Sequence, residues 1–317
     1  MQNFITLHSS GIALLAALIF SVSTVFSQQS VELGYETLTL EDTEKIVKDL
    51  AHDSYQGRKA GEPGGLLASY YVASKLESYG VEPLVGNSFF QLFNFDRRIT
   101  AYGMRNVLGV IRGETDEVVV IGAHYDHLGM EIDAKNRICY NGADDNASGV
   151  AAVLQIAKAM KASGVKPYRT VVFALWDGEE RGMLGSTYFV EDCPFLSHVK
   201  AYMNFDMVGR GPIEIPRHLS YVYTSSHPSF GEWLRIDTEE RGFSFEPSYK
   251  AWGNPNFGSD NAAFADAKIP LVWYHTEGHP DYHKATDTSE KIDYAKLLDI
   301  VRASYLCTWR LANEKEY

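Results

Sequence analysis

From Asn106 onward the chain alternates short, continuous apolar runs with helix-patterned segments, and this constrains its fold more than any other feature. VLGVI, VVVIGA, TVVFALW, VKAYMNF and IPLVWYHT are apolar at successive positions rather than at every second one. Strands buried on both faces read this way. Between them ASGVAAVLQIAKAMKAS repeats its apolar residues at helical spacing, and GSTYFVED, FGEWLRIDTEER and Tyr294 to Leu311 read as further helices. Upstream, Thr43 to His52 looks helical, and Leu66 to Tyr79 repeats the pattern behind the turn residues of GEPGG. Strands separated by helices predict an α/β fold of three layers, α/β/α, around a mostly parallel central sheet. No internal repeat or proline-rich linker interrupts it, so residues 28–317 are expected to form one domain.

Residues 1–27 are set apart by composition. No Asp, Glu, Lys or Arg occurs in the first 31 residues, and the apolar stretch from Ile12 to Phe20 is followed by small residues, with Val25 and Ser27 placed for a cut before Gln28. This is the pattern of a secretory signal peptide. The alternative is an uncleaved membrane anchor, but the apolar core is shorter than the about 18–20 residues a span requires. The protein is therefore expected to be exported, periplasmic or secreted. With 29 Lys+Arg against 41 Asp+Glu and a net charge of −12, neither nucleic acid nor a stable membrane partner is expected. The odd cysteine set of Cys139, Cys193 and Cys307 is no disulfide framework.

In sheets of this kind, ligands bind beyond the carboxyl ends of the strands. Those ends carry a biased set of residues. VVVIGA leads to His124, Asp126 and His127; TVVFALW to Asp177, Glu179 and Glu180; VKAYMNF to Asp206; IPLVWYHT to His275, His279 and His283. NGADDNASGV adds Asp144, Asp145 and Asn146 before a helix expected to start near Ala147, with Ser148 as its cap. Each group has a plain structural explanation, since turns favour Asp and adjacent glutamates are usually solvated. Carboxylates crowded together nevertheless repel unless a cation compensates. A mixed His and carboxylate set without cysteine suits zinc or a similar divalent ion. Competing motifs are absent: no Gly-x-Ser-x-Gly elbow, no Gly-x-Gly-x-x-Gly turn, no phosphate loop and no His-Glu-x-x-His.

Taken in order, GAHYDHLG, NGADDNASG, DGEERGMLGS, NFDMVG and YHKATDT resemble the co-catalytic di-zinc aminopeptidases of the bacterial secreted type, a family whose relatives include glutamate carboxypeptidase and the animal-type glutaminyl cyclases. SYQGRKAGEPGGLLASYYVASKLESYGVEPL resembles the family's leading segment. The resemblance implies a zinc-peptidase catalytic domain holding two divalent ions, with zinc the expected metal. His124 and Asp206 would bind one ion, Glu180 and His283 the other, and Asp145, joined to Asn146 by a cis peptide, would bridge them. His283 is preferred to His275 and His279 because it alone stands in the Tyr-His-x-x-x-Asp context. Glu179 matches the general base, Asp126 the residue that holds His124, and Tyr282 a tyrosine that polarises the scissile carbonyl. Asp144 is expected to point away from the metals.

The implied activity is that of a metallo-exopeptidase: an aminopeptidase that reads a peptide's free N-terminus and hydrolyses its first peptide bond through a metal-bridging water. The alternative is a glutaminyl cyclase, with one zinc on the same ligands. In that branch a tryptophan precedes the last histidine, where this chain has Tyr282. A binding ectodomain without catalysis is the third reading, and it would be expected to have lost ligands that are all present here.

Overall fold

The computed structural model describes residues 29–96, 100–132 and 136–317, so the expected signal segment, 1–27, lies outside the described residues. A nine-stranded sheet forms the middle layer. Its strands in chain order are β1 (Glu82–Pro83), β2 (Phe90–Asp96), β3 (Thr100–Ile111) and β4 (Val118–His124). A separate hairpin, β5 (Gly129–Ile132) and β6 (Arg137–Tyr140), precedes β7 (Thr170–Trp176), β8 (Val199–Phe205), β9 (His218–Thr224), β10 (Glu246–Trp252) and β11 (Leu271–His275). Across the sheet the order is β1-β3-β7-β4-β8-β11-β9-β10, with β2 also on β3. The central strands β7, β4, β8 and β11 run parallel. Antiparallel pairing joins β3 to β7 and β11 to β9, while β9 and β10 are again parallel. The sheet is thus mixed, with a parallel centre and antiparallel flanks.

Burial on both faces explains the continuous apolar runs. On β4, Val119, Ile121 and Ala123 point into one core, and Val118 and Val120 into the other. The first core packs under α1 (Leu40–Leu50), α2 (Pro63–Ser78), α3 (Gly149–Ala162), α5 (Ser229–Arg241) and α7 (Tyr294–Asn313). The second lies under α4 (Leu184–Asp192) and α6 (Asn261–Asp266), whose Phe189 and Phe264 meet Trp176 and Tyr202. Each such buried side chain stabilises the fold by about 1.5–3 kcal/mol. Among the described residues, no helix is long and apolar enough to cross a membrane, and Cys139, Cys193 and Cys307 are free thiols.

Helix α3 begins at Gly149 rather than near Ala147, and Ser148 does not cap it. Its hydroxyl donates to Asp144 O at 2.8 Å and accepts from Val208 N–H at 3.1 Å, tying the preceding loop to the exit of β8. That loop, residues 143–148, is buried throughout and contains a cis peptide between Asp145 and Asn146.

Candidate metal centre

Parallel strands ending side by side bring the acidic and imidazole residues together. His124 closes β4, and Asp206 follows β8 directly. Glu179 and Glu180 follow β7 after Gly178, which adopts a left-handed conformation (φ 77°) that turns the chain sharply. Asp145 comes from the loop before α3, and His283, itself at φ 55°, from the segment after β11.

Asp145 sits at the centre with its two oxygens directed to different groups. Its Oδ1 is 3.5 Å from His124 Nε2, which lies 3.4 Å from Asp206 Oδ1. Its Oδ2 is 3.1 Å from His283 Nε2, which lies 3.1 Å from Glu180 Oε2. Donor atoms sharing a tetrahedral zinc at about 2.0–2.1 Å are separated by roughly 3.3–3.4 Å. The nitrogen–oxygen spacings in both groups are close to that value, and N/O donors of this kind suit zinc. His127, Asp145 and Glu180 also lie close enough to form a metal-binding group, as do His124, Asp145 and Asp206.

The electrostatics favour a cation. Burial opposes charge on His124, yet Glu179, Asp206 and Asp145 outweigh it and hold its pKa well above the ordinary histidine value. Hydrogen bonds to Asp145 and Glu180 push His283 up to about 10. Burial would raise Glu180, but His127 and His283 outweigh it and hold the carboxyl below its usual range. The field that keeps protons on these imidazoles also attracts a divalent ion, which competes with them for the same nitrogens. Glu179 differs from its neighbour: burial first, then Asp206, Asp260 and Asp126, push its carboxyl well above the ordinary range.

Asp126 is fully buried and supports both glutamates, its oxygens accepting from Glu179 N–H at 3.0 Å and Glu180 N–H at 3.4 Å. Its carboxylate is 3.7 Å from His124 Nδ1, which stands nearer the backbone oxygen of the same residue, at 3.2 Å. Asp144 points away from the cluster. Its Oδ1 accepts from Gly209 N–H at 2.6 Å, and its Oδ2 lies 3.2 Å from His279 Nε2. His279 Nδ1 accepts from Asp281 N–H at 3.2 Å. His275 directs Nδ1 to the backbone oxygen of Asp206 at 2.6 Å. Tyr282 is half-buried, stacked on His283 with ring centroids 3.9 Å apart. Burial and nearby Asp145 keep its hydroxyl protonated well past the usual range. Beside the cluster lies a cavity of about 260 Å³ reached by Glu179, Asp206 and Tyr282 and walled by Met207, Trp273 and Gly258.

Three further residues support the cluster, and of these Arg58 alone escaped the sequence reading. Arg58 is fully buried and donates to the backbone oxygens of Leu50, Tyr125, Asn141 and Gly142. Asp287 accepts from the N–H groups of Asp144 and Asp145, which gives the Asp of Tyr-His-x-x-x-Asp its purpose. Asn146 bonds Phe205 O through its amide nitrogen, while its Oδ1 accepts from Gly149 and Met207.

Residues 106–306 match Peptidase family M28. The chain is 31% identical over 250 residues to a probable glutamate carboxypeptidase, VP8, of Zea mays, covering 70% of this chain and 32% of that protein. It is 28% identical over 253 residues to leupeptin-inactivating enzyme 1 of Streptomyces exfoliatus, covering 75% and 53%. The first of these relatives is therefore about three times as long as the stretch this chain spans. Among solved structures, the LapA aminopeptidase of Legionella pneumophila superposes with a TM-score of 0.72 at 21% identity, covering 91% of this chain and 75% of that one. BSAP, a zinc aminopeptidase of Bacillus subtilis, superposes at 0.67 and 16% identity, covering 88% and 96%. With its match running from β3 into α7 and through every strand exit described above, this chain belongs to Peptidase family M28.

Proposed function

We propose that the protein is a zinc-dependent aminopeptidase that binds two ions and hydrolyses the N-terminal peptide bond of peptides. The observation that carries this reading is Asp145, with one oxygen toward His124 and the other toward His283. Asp206 completes the first group and Glu180 the second. Bound by these residues, two divalent ions would supply Lewis-acid activation of a water and of the substrate carbonyl. Glu179, its proton affinity raised by burial and acidic neighbours, takes a proton from the attacking water and returns it to the leaving amine. Tyr282 donates its hydroxyl proton in a hydrogen bond to the carbonyl oxygen of the scissile bond. Asp126 holds the backbone of Glu179 and Glu180, so base and ligand keep their places together.

The cavity supports an exopeptidase. At about 260 Å³ it falls below the about 300–1,000 Å³ of sites for drug-sized ligands, and it suits a single side chain. The carboxylates beside it favour a free N-terminal ammonium. Residues 1–27 fit a signal peptide, leaving 28–317 as an exported catalytic domain. Peptides bearing N-terminal leucine or N-terminal glutamine, each incubated with zinc-loaded protein, test the function. Released amino acid supports the aminopeptidase; ammonia from the glutamine peptide indicates a cyclase; neither product leaves a binding protein.

A further inference from the structure

His127 lies just past β4 and is buried, 1% exposed. Its Nδ1 stands 2.7 Å from Glu180 Oε1. The other oxygen of that carboxylate, Oε2, lies 3.1 Å from His283 Nε2. Two imidazoles therefore face Glu180, one at each oxygen. The ring of His127 is held in place from behind: a Cβ on Gly142 would lie 2.5 Å from its Cδ2, so only glycine leaves room there.

Two roles are open to such a ring. It could bind an ion with Asp145 and Glu180, or it could donate a hydrogen bond to Glu180. Spacing separates them. Two donors on one tetrahedral zinc are roughly 3.3 Å apart. His283 approaches that value against both Asp145 and Glu180. At 2.7 Å, His127 is at the length of a charge-assisted hydrogen bond, and it stands 3.7 Å from Asp145 Oδ2. Coordination number agrees. Asp145, Glu180, His283 and His127 together would close a tetrahedron, as in structural zinc sites, whereas a catalytic site keeps one position open.

We propose that His127 is a positioning residue of the second metal site, its Nδ1–H bound to Glu180 Oε1 so that Oε2 alone is left for the ion. The proposal rests on the reading of this cluster as a metal centre. A histidine in this role keeps the carboxylate from chelating through both oxygens, and it preserves the open position that water or substrate must occupy.

The test uses the full mature chain and its His127→Asn and His127→Leu variants. Zinc affinity is measured by chelator competition, and coordination by the visible spectrum of the cobalt-substituted protein. An asparagine amide can donate from the place of Nδ1 but is a poor zinc ligand. His127→Leu is expected to weaken the second ion about 10–100-fold and leave the first unchanged. His127→Asn is expected to bind both ions like the wild type, with the same cobalt spectrum. If His127→Asn loses the second ion and shifts the spectrum, His127 is a ligand and the proposal is overturned. A folded His127→Leu with unaltered affinity overturns it as well. Should His127→Leu fail to fold, the His127→Asn result decides. A wild-type chain that takes up no second zinc fails the metal-centre reading itself, and the positioning role with it.

Discussion

Replacing Arg58 with methionine should loosen the metal centre without touching a proposed ligand. The guanidinium donates from Nε to Tyr125 O at 2.9 Å, from Nη1 to Leu50 O at 2.7 Å and Asn141 O at 2.6 Å, and from Nη2 to Gly142 O at 2.8 Å. Tyr125 lies between His124 and Asp126, and Gly142 introduces the loop that carries Asp144 and Asp145. Methionine retains much of the apolar stem but takes the donor from the oxygens of Leu50, Tyr125 and Asn141, while Gly142 O keeps the N–H of Ala147 at 3.2 Å. Each unsatisfied buried group costs about 1–3 kcal/mol. Releasing a fully buried charge returns several kcal/mol of desolvation. Three such groups at about 2 kcal/mol each, less that return, leave a net loss of roughly 2–4 kcal/mol. Urea unfolding of the metal-free protein measures the loss, and chelator competition shows whether zinc affinity falls with it. A loss below about 1 kcal/mol with unchanged zinc affinity would refute the idea that this guanidinium organises the two ligand loops.

Glu179→Gln should retain both ions yet lose most of the turnover, while Glu180→Gln should lose affinity for one ion, as metal analysis alongside peptide cleavage will show. Reversed outcomes would exchange the two roles. Lys296 is buried with its amine on Arg210 O and Pro216 O, and burial lowers its pKa to about 8. Between about pH 8 and 10.5 the unfolded chain holds a proton there that the folded chain lacks, so this group's contribution to stability rises with pH through that window. At about 1.4 kcal/mol per pH unit the full difference is roughly 3 kcal/mol. Unfolding free energies of the wild type and Lys296→Met, compared at both ends of the window, should diverge by an amount of this order. Gly149→Ala should destabilise the protein by about 1–3 kcal/mol, because its new methyl would lie 2.3 Å from Asn146 Oδ1 and 2.8 Å from Phe205 O. Thermal unfolding checks it.

What was legible in the sequence follows from how each feature is stabilised. TVVFALW and VKAYMNF coincide with β7 and β8 because strands buried on both faces must be apolar throughout. HLSYVYT and EPSYKAW, which form β9 and β10, were missed: serine and tyrosine break the apolar run on β9, although its Leu219, Ser220, Tyr221 and Val222 are buried, and β10 is a partly exposed edge strand. The antiparallel direction of β3 against β7 and of β9 against β11 was not legible, because an apolar run marks burial and carries no strand direction. The strand-exit residues could be found because topology alone brings them to one end of the sheet. Asp145 was distinguishable from Asp144 only through the resemblance, and the structure turns Asp145 inward and Asp144 toward His279. Arg58 gave no signal because its partners are backbone oxygens, which any residue supplies. His127 was visible as an extra imidazole, but its 2.7 Å approach to Glu180 is a three-dimensional fact.

If Asp145 holds ions between its two groups of donors, turnover must follow metal content. The most direct measurement is release of leucine from an N-terminal leucine peptide, recorded while metal-free protein is titrated with zinc and bound metal is counted by elemental analysis. No turnover is expected without metal, with activity rising as zinc is taken up and saturating at two ions per chain. Full turnover by protein verified to be free of metal would contradict it.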